Sequence, residues 1–175
     1  IEINGRESAR FAMEMMLDDA AVKTLFLPFD TGDVETGSDA SRWLFLNASL
    51  PPADAQLSQA QIYAVQGFRP EFLRLHRAGF RVAPEVTGDS FDGGLILVSR
   101  HRSETRALLN QALGRIKPGG LIIVAGTKND GIASVAKEVG VQFEVLGSLS
   151  KHHAKAVWFE NNRASRFAED DPDLV

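Results

Sequence analysis

Short apolar runs alternate with helical segments along most of the chain, and this alternation constrains the fold more than any other feature. Helices are predicted over 70–78, 103–116 and 131–139. Buried, near-continuous apolar strands separated by helices indicate a parallel sheet with both faces covered. The loop before the last run is too short for a parallel crossover, so the final two strands should be antiparallel. Strands are predicted over 43–48, 61–66, 80–86, 91–99, 121–126, 143–149 and 154–160.

The amino-terminal part of the chain lacks this alternation and instead predicts a helix followed by a loop. Residues 6–21 predict a helix, because Phe11 and Met15 recur at helical spacing. The segment LFLPFDTGDVETGSDAS (25–41) is rich in Gly, Asp, Ser and Thr after its proline, which predicts a loop. The sequence therefore predicts three parts: an amino-terminal helix over 1–22, one α/β domain over 23–162, and a polar stretch over 163–175.

Composition excludes several classes of function. The 175 residues suit one domain, and the absence of cysteine excludes disulfides, thiolate metal sites and cysteine nucleophiles. A net charge of −4 disfavours a domain that coats nucleic acid through bulk charge. No apolar run approaches the roughly 20 residues that cross a bilayer, so we expect no membrane partner and a cytoplasmic location.

Familiar catalytic motifs are missing. GTKNDGI (126–132) begins like a phosphate-binding loop but has Ile and Ala where Lys and Ser or Thr are needed. Neither G-x-G-x-x-G nor G-x-S-x-G occurs. The four histidines, His76, His101, His152 and His153, lack the spacing of metal ligands, so no metal site is expected.

Three stretches together resemble one protein family. They are KTLFLPFDTGDV (23–34), KPGGLIIVAGTKNDGIASVAKEVG (117–140) and LSKHHAKAVWF (149–159). They are similar to the amino-terminal half of the ribosomal RNA small-subunit methyltransferase C family and its relatives with a "methyltransferase small" domain. The resemblance implies an α/β, Rossmann-like class I methyltransferase fold: a mostly parallel seven-stranded sheet with an antiparallel last strand and helices on both faces.

The same resemblance implies a division of labour. In that family two methyltransferase-like domains follow one another, and the carboxy-terminal one binds S-adenosylmethionine and methylates the exocyclic amine of a guanine in ribosomal RNA. The amino-terminal domain is a degenerate copy. By this likeness the present chain is the non-catalytic half, its partner is its own carboxy-terminal catalytic domain, and 163–175 begins the linker to that domain.

The residues at the positions of chemistry depart from an active copy. The segment WLFLNASLPPAD (43–54) has no glycine where backbone would approach the cofactor, and Pro51 and Pro52 stiffen it. The second strand ends at Gln66 and not at an acidic residue, and VSRHRSE (98–104) replaces the family's Asn-Pro-Pro-aromatic loop. We therefore expect no catalytic and no cofactor-binding residue in this chain, with S-adenosylmethionine bound only by the catalytic domain.

Basic and aromatic residues follow the predicted strands, at the edge where a doubly wound sheet collects its ligands. Arginine and lysine could contact phosphates, and an aromatic ring or histidine could stack on an unpaired base. We call this set the basic rim and predict that it positions ribosomal RNA, although exposed loops carry charge by default. Its members are Phe68, Arg69, Arg100, His101, Arg102, Lys128, Lys151, His152 and His153.

Two other functions stay open. The domain could be a docking or dimerisation module without RNA contact, using the helix over 6–21. It could also be an active S-adenosylmethionine-dependent methyltransferase with an atypical cofactor loop. The position of the loop over 48–56 bears on this choice, because a loop folded across the cofactor position would close the pocket, whereas an open pocket favours the enzyme.

Overall fold

The computed structural model describes residues 5–162 and 166–168. The helices are α1 (Gly5–Asp30), α2 (Arg69–Arg77), α3 (Arg102–Arg115) and α4 (Ile132–Gln142). The strands are β1 (Trp43–Leu46), β2 (Ile62–Val65), β3 (Arg81–Ala83), β4 (Phe91–Leu97), β5 (Ile116–Thr127), β6 (Val145–Lys151) and β7 (Ala154–Glu160). Within the described part of the chain, no helix combines the length and apolar character needed to cross a membrane.

All seven strands form one sheet in the order β3-β2-β1-β4-β5-β7-β6. The first five strands are parallel to one another, and β7 lies antiparallel between β5 and β6. This arrangement confirms the predicted α/β fold class with its antiparallel last strand. The chain order reverses between β1 and β4, which makes the space beyond their carboxyl ends the topological switch point of the sheet.

Two apolar clusters hold the helices on opposite faces of the sheet. Phe26 and Phe29 of α1 pack with Trp43 and Phe45 on one face, where α2 contributes Leu75. On the other face, the buried residues of α3 and α4 cover Leu44, Leu46, Ile96, Val124 and Phe159. The connections from β1 to β2 and from β3 to β4 contain no α-helix, so the sheet is less fully covered near β2 and β3.

Helix α1 is longer than the sequence predicted. It continues to Asp30 through Pro28, and the expectation of a loop from residue 25 was wrong over 25–30. The cause is an apolar stripe: Val22, Leu25, Phe26 and Phe29 follow one another at helical spacing and are all buried against the sheet. Burial of that stripe outweighs the missing donor of the proline, which lies within the last turn. The side chains at 11–18 lie outside the described residues, so the predicted roles of Phe11 and Met15 stay predictions.

Strand β5 also begins earlier than expected. The sequence placed KPGG in a break before a strand over 121–126, yet these residues already belong to β5. Gly119 has a φ of 81°, a left-handed conformation that favours glycine. A Cβ on Gly120 would lie 2.7 Å from the Asp92 carbonyl oxygen, so the backbones approach too closely for a side chain. The fully buried Asn161 fixes this segment by accepting a backbone hydrogen bond from Gly119 and donating one to Gly120, each 2.8 Å long.

Phe167 lies in the stretch that the sequence assigned to a linker. Its ring is buried beside Phe143, with 5.9 Å between the ring centroids. Its N–H donates to Asn110 Oδ1 at 2.9 Å, and its carbonyl accepts from Asn110 Nδ2 at 2.8 Å. Phe167 is therefore bound to α3 through Asn110.

The carboxylate of Asp92 joins three parts of the sheet and should make stability depend on pH. It accepts hydrogen bonds of 2.8 Å from Lys117 Nζ and from the Arg42 N–H. The hydrogen bond from Lys117, followed by that from the Arg42 backbone, lowers the pKa of Asp92. A carboxyl whose pKa is lower in the folded state stabilises the fold above its unfolded pKa, and this contribution is lost as the pH falls through the folded pKa.

We therefore expect Asp92→Asn to lower the free energy of unfolding by about 1 kcal/mol at neutral pH, because the ion pair is partly exposed. Below the folded pKa of Asp92, the variant and the original chain should differ much less. Urea denaturation at both pH values measures this difference. An equal loss at both would contradict the assignment to the charged carboxylate.

Candidate functional site

A cleft lies at the switch point. A cavity of about 250 Å³ lies among the carboxyl ends of β1, β2, β4 and β5, with Val98 and Gly126 in its wall. A second cavity of about 600 Å³ extends between β2, the segment after β3 and α3. Asn47, Gln66 and Phe68 line both cavities, which therefore adjoin. We call the combined space the switch-point cleft, and its volume is in the usual range for small-molecule sites.

The loop over 48–56 contributes Ala48 and Ser49 to the wall of the smaller cavity and then turns away from the cleft toward α1. Ala48 and Pro51 are buried, and Leu50 and Ala55 pack against the apolar cluster on the α1 face of the sheet. A further hollow of about 530 Å³ lies where this loop passes between α1 and α2, and it shares Ser49 and Glu71 with the smaller cavity. The loop therefore does not close the pocket, which is the condition that favours the enzyme among the alternatives above.

Gln66 directly follows β2, at the position where the resemblance described above led us to look for an acidic residue. Its side chain is 8% exposed. The amide Nε2 donates to the Ala48 carbonyl at 2.8 Å, and Oε1 accepts from the Phe68 N–H at 2.8 Å. Both polar atoms of the amide are thus used to bind the chain's own backbone, and the strand end holds the β1 loop in place.

Asn47 ties the ends of β1 and β4 together in a similar way. It has a φ of 53°, which asparagine tolerates better than most residues, and it follows β1 directly. Its Nδ2 donates to the Leu97 carbonyl at 2.9 Å. A side-chain donor at the centre of the switch point is therefore engaged with the neighbouring strand.

The segment after β4 leads into α3 and is bound to its first turn. Thr105 Oγ1 accepts from the Ser99 N–H at 2.9 Å and donates to the Ser99 carbonyl at 3.2 Å. Ser99 Oγ donates to a carboxylate oxygen of Glu104 at 2.9 Å. These polar groups bind one another, which orders the entry to the helix.

Carboxylates line the cleft, and the sequence analysis missed them. Glu85 and Glu104 face the larger cavity, and Glu71 and Asp130 face the smaller one. Each lies within four residues of a strand end or a helix start, a placement that could have revealed them. Arg115 also lines the larger cavity, and Glu71 and Asp130 form ion pairs with Arg74 and Arg100. No group of His, Asp or Glu within 5–162 and 166–168 could hold a metal ion.

The structure brings part of the basic rim together. Arg100 Nε lies 3.7 Å from an Asp130 carboxylate oxygen, which places the β4–α3 loop beside the turn after β5. The Lys128 N–H donates to the His153 carbonyl at 3.2 Å, which places that turn beside the β6–β7 hairpin. His152 and His153 have φ values of 54° and 62°, the left-handed pair that a two-residue hairpin turn requires. Lys151 precedes this turn, so these residues form one neighbourhood.

The remaining rim residues lie at starts of helices. Phe68 is 65% exposed and lines the smaller cavity together with Asp130, so it lies at the mouth of the cleft. Arg69 and Arg102 are the first residues of α2 and α3, and His101 precedes α3. All nine predicted residues are exposed. Their contact with RNA stays a prediction.

No family model matches the sequence, and no curated protein matches it either. Solved structures do match. A T. thermophilus 16S rRNA N2 methyltransferase, solved in complex with AdoMet and guanosine, has a TM-score of 0.53 and 17% identity over 75% of this chain. The fold is that of the class I methyltransferases. The N-methyltransferase NodS from Bradyrhizobium japonicum has a TM-score of 0.52 and 12% identity over 69% of this chain and 85% of its own.

A SAM-dependent O-methyltransferase from Thermotoga maritima extends the likeness to 96% of this chain and 68% of its own, with a TM-score of 0.50 and 11% identity. At such identities the likeness concerns the fold alone. The chain spans 37% of the length of the T. thermophilus enzyme. RNA substrates and S-adenosylmethionine belong to those proteins, and their relevance to this chain has to be argued from its own site.

Proposed function

We propose that the chain is a non-catalytic methyltransferase-like domain that supports the catalytic domain of an S-adenosylmethionine-dependent ribosomal RNA methyltransferase acting on a guanine exocyclic amine. The observation that supports this proposal most directly is how the side chain of Gln66 is bound. The end of β2 offers an amide whose two polar atoms bind Ala48 and Phe68, and no carboxylate remains there for ribose hydroxyls. The cofactor would be bound by the catalytic domain, and we propose a cytoplasmic location for both domains.

The role proposed for this domain is to hold RNA. None of the cations of the basic rim lines the cleft, whereas the carboxylates Glu85 and Glu104 do. This separation of charge favours a strand that runs along the rim with its phosphates against Lys128, Lys151 and Arg102. The exposed ring of Phe68 offers a surface on which an unpaired base can stack.

A matched pair of charge reversals tests this role. Arg102 is the first residue of α3 and belongs to the basic rim. Arg77 is the last residue of α2 and lies toward the amino-terminal ends of the strands, away from the rim. Both side chains are exposed. We expect Arg102→Glu to weaken binding to a single-stranded ribosomal RNA fragment about tenfold and to reduce the slope of log affinity against log salt by about 0.7. Fluorescence anisotropy across a salt series measures both quantities.

Arg77→Glu makes the same change of charge and should leave both quantities unaltered. The triple variant Arg100→Glu, Arg102→Glu, Lys151→Glu should weaken binding further than Arg102→Glu alone. Equal effects of the rim and control substitutions would remove the rim from RNA binding and leave the docking module as the better account.

The second candidate is an active methyltransferase with an atypical cofactor loop. The observation in its favour is the switch-point cleft. The larger cavity of this cleft, beside α3, stays open because the loop over 48–56 does not fold across it. This candidate requires the cofactor to bind without an acidic residue at the end of β2. Direct titration with S-adenosylmethionine separates the two candidates.

A further inference from the structure

The two edges of the sheet differ in how they are protected against pairing with another strand. One edge is β3, which has three residues and begins with the exposed Arg81. The other is β6, which has seven residues and pairs only with β7 among the described strands. Short length and charge discourage edge pairing, whereas a long edge strand presents unpaired N–H and C=O groups to a second strand. The β6 edge is the less protected of the two.

The sequence of β6 adds to this difference. Residues 145–150 read VLGSLS, with neither a charge nor a proline. The register shifts between Val145 and Gly147, so the irregularity is confined to the start of the strand. A side chain on Gly147 would collide with the Trp158 ring, which explains a glycine there without reference to protection of the edge.

Exposed apolar residues gather at the same edge. Four large hydrophobic side chains are exposed in the described part of the chain, and three of them are Val141, Val145 and Leu146, at 79%, 37% and 48%. A Cβ on Gly140 would lie 3.9 Å from Val145 Cγ2, which places the last turn of α4 against the start of β6. Contiguous exposed apolar residues are typical of interaction surfaces.

We propose that β6 pairs antiparallel with β6 of a second copy of this chain, around a two-fold axis, and joins the two sheets into one. The argument for a second copy is charge complementarity. The uncharged strand has Glu144 before it and Lys151 at its end, both exposed. Antiparallel pairing about a two-fold axis near Ser148 brings the end of the strand in one copy, at Lys151, toward its start in the other, at Glu144, and does so twice.

The proposal does not rest on the RNA function. Because the two copies of β6 run in opposite directions, the carboxyl ends of the two sheets point away from each other. Each basic rim, apart from Lys151 at the dimer contact, therefore remains accessible in the dimer. The Lys151 side chain lies at the boundary between the two surfaces, so the sedimentation measurements below are made without RNA.

Sedimentation velocity of the chain, from micromolar to near-millimolar concentration, tests the pairing. We expect a reversible monomer–dimer equilibrium whose dissociation constant rises about tenfold or more with Leu146→Asp. Phe68→Asp is the matched control, since Phe68 is the fourth exposed large hydrophobic residue and lies at the cleft. It should leave the dissociation constant unchanged.

Charge exchange identifies the partner strand. Lys151→Glu and Glu144→Lys should each weaken the dimer severalfold, because each places like charges opposite one another, and the double exchange should restore it. A chain that is monomeric at every concentration would refute the pairing. So would a dimer that Leu146→Asp leaves intact, or one that the double exchange weakens as much as both single changes together.

Discussion

Asn161→Ala is expected to lower the free energy of unfolding by about 3 kcal/mol, because it leaves two buried carbonyl groups without their side-chain donor. Asn161 is 0% exposed. Its Nδ2 donates to the carbonyls of Leu113 at 3.0 Å and Ile116 at 2.8 Å, at the junction where α3 ends and β5 begins. The same residue makes the backbone hydrogen bonds that fix KPGG, so the side-chain loss affects the whole junction.

Guanidinium denaturation followed by circular dichroism measures this loss. Asn129→Ala is the control, since Asn129 is an exposed residue of the turn after β5. It should change the free energy of unfolding by no more than about 0.5 kcal/mol. If Asn161→Ala cost less than about 1 kcal/mol, the two carbonyls would have to find other donors, and the account of this junction would fail.

Gly93→Val should be similarly damaging, at about 3 kcal/mol, because the sheet has no room for a side chain there. Gly93 is the partner of Trp43 in the β1–β4 ladder, and its Cβ would lie 2.7 Å from Trp43 Cη2. The indole has little freedom to move. Its Nε1 donates to the Thr36 carbonyl at 3.1 Å, and its ring meets Phe29 edge-on at 5.1 Å between centroids.

Gly114→Ala provides a control of the opposite sign. Gly114 lies within α3, and a Cβ there would meet nothing within 4 Å. Alanine in a helix is favoured over glycine by about 0.5–1 kcal/mol, so this variant should be slightly more stable than the original chain. Chemical denaturation of both variants gives the comparison. A Gly93→Val chain of undiminished stability would show that the Trp43 ring can relocate.

The sequence predicted the positions of the strands along the chain well, because most strands are buried apolar runs and hydrophobicity is a local property of residue type. The predictions were wrong where contacts between residues distant in sequence determine the local conformation. The helical stripe of Val22 and Phe26 needs the sheet beneath it before it can extend α1 past Pro28. The strand conformation of KPGG depends on Asn161, which lies far along the chain. Phe167 is a single aromatic residue without periodicity, so nothing in the sequence marks it as buried.

In the candidate site, too, some features follow from the strand pattern and others depend on contacts between distant residues. Parallel topology places the residues after each strand at one edge, so the location of the basic rim follows from the pattern of strands. The carboxylates of Glu71 and Asp130 in the cleft depend on how helices and turns face the sheet, which no strand pattern specifies. The amide of Gln66 illustrates a further limit. Its partners are reached only in the folded chain, although the absence of an acidic residue there is legible in the sequence.

Isothermal titration of the chain with S-adenosylmethionine tests the central claim most directly. The end of β2 and the start of α3 direct their polar groups to the chain's own atoms, so we expect no saturable heat up to near-millimolar cofactor. S-adenosylhomocysteine should likewise give no saturable heat. A cooperative unfolding transition in denaturant verifies that the protein in the sample is folded. Saturable one-to-one binding with a micromolar dissociation constant would contradict the non-catalytic account and would establish the open cleft as a cofactor site.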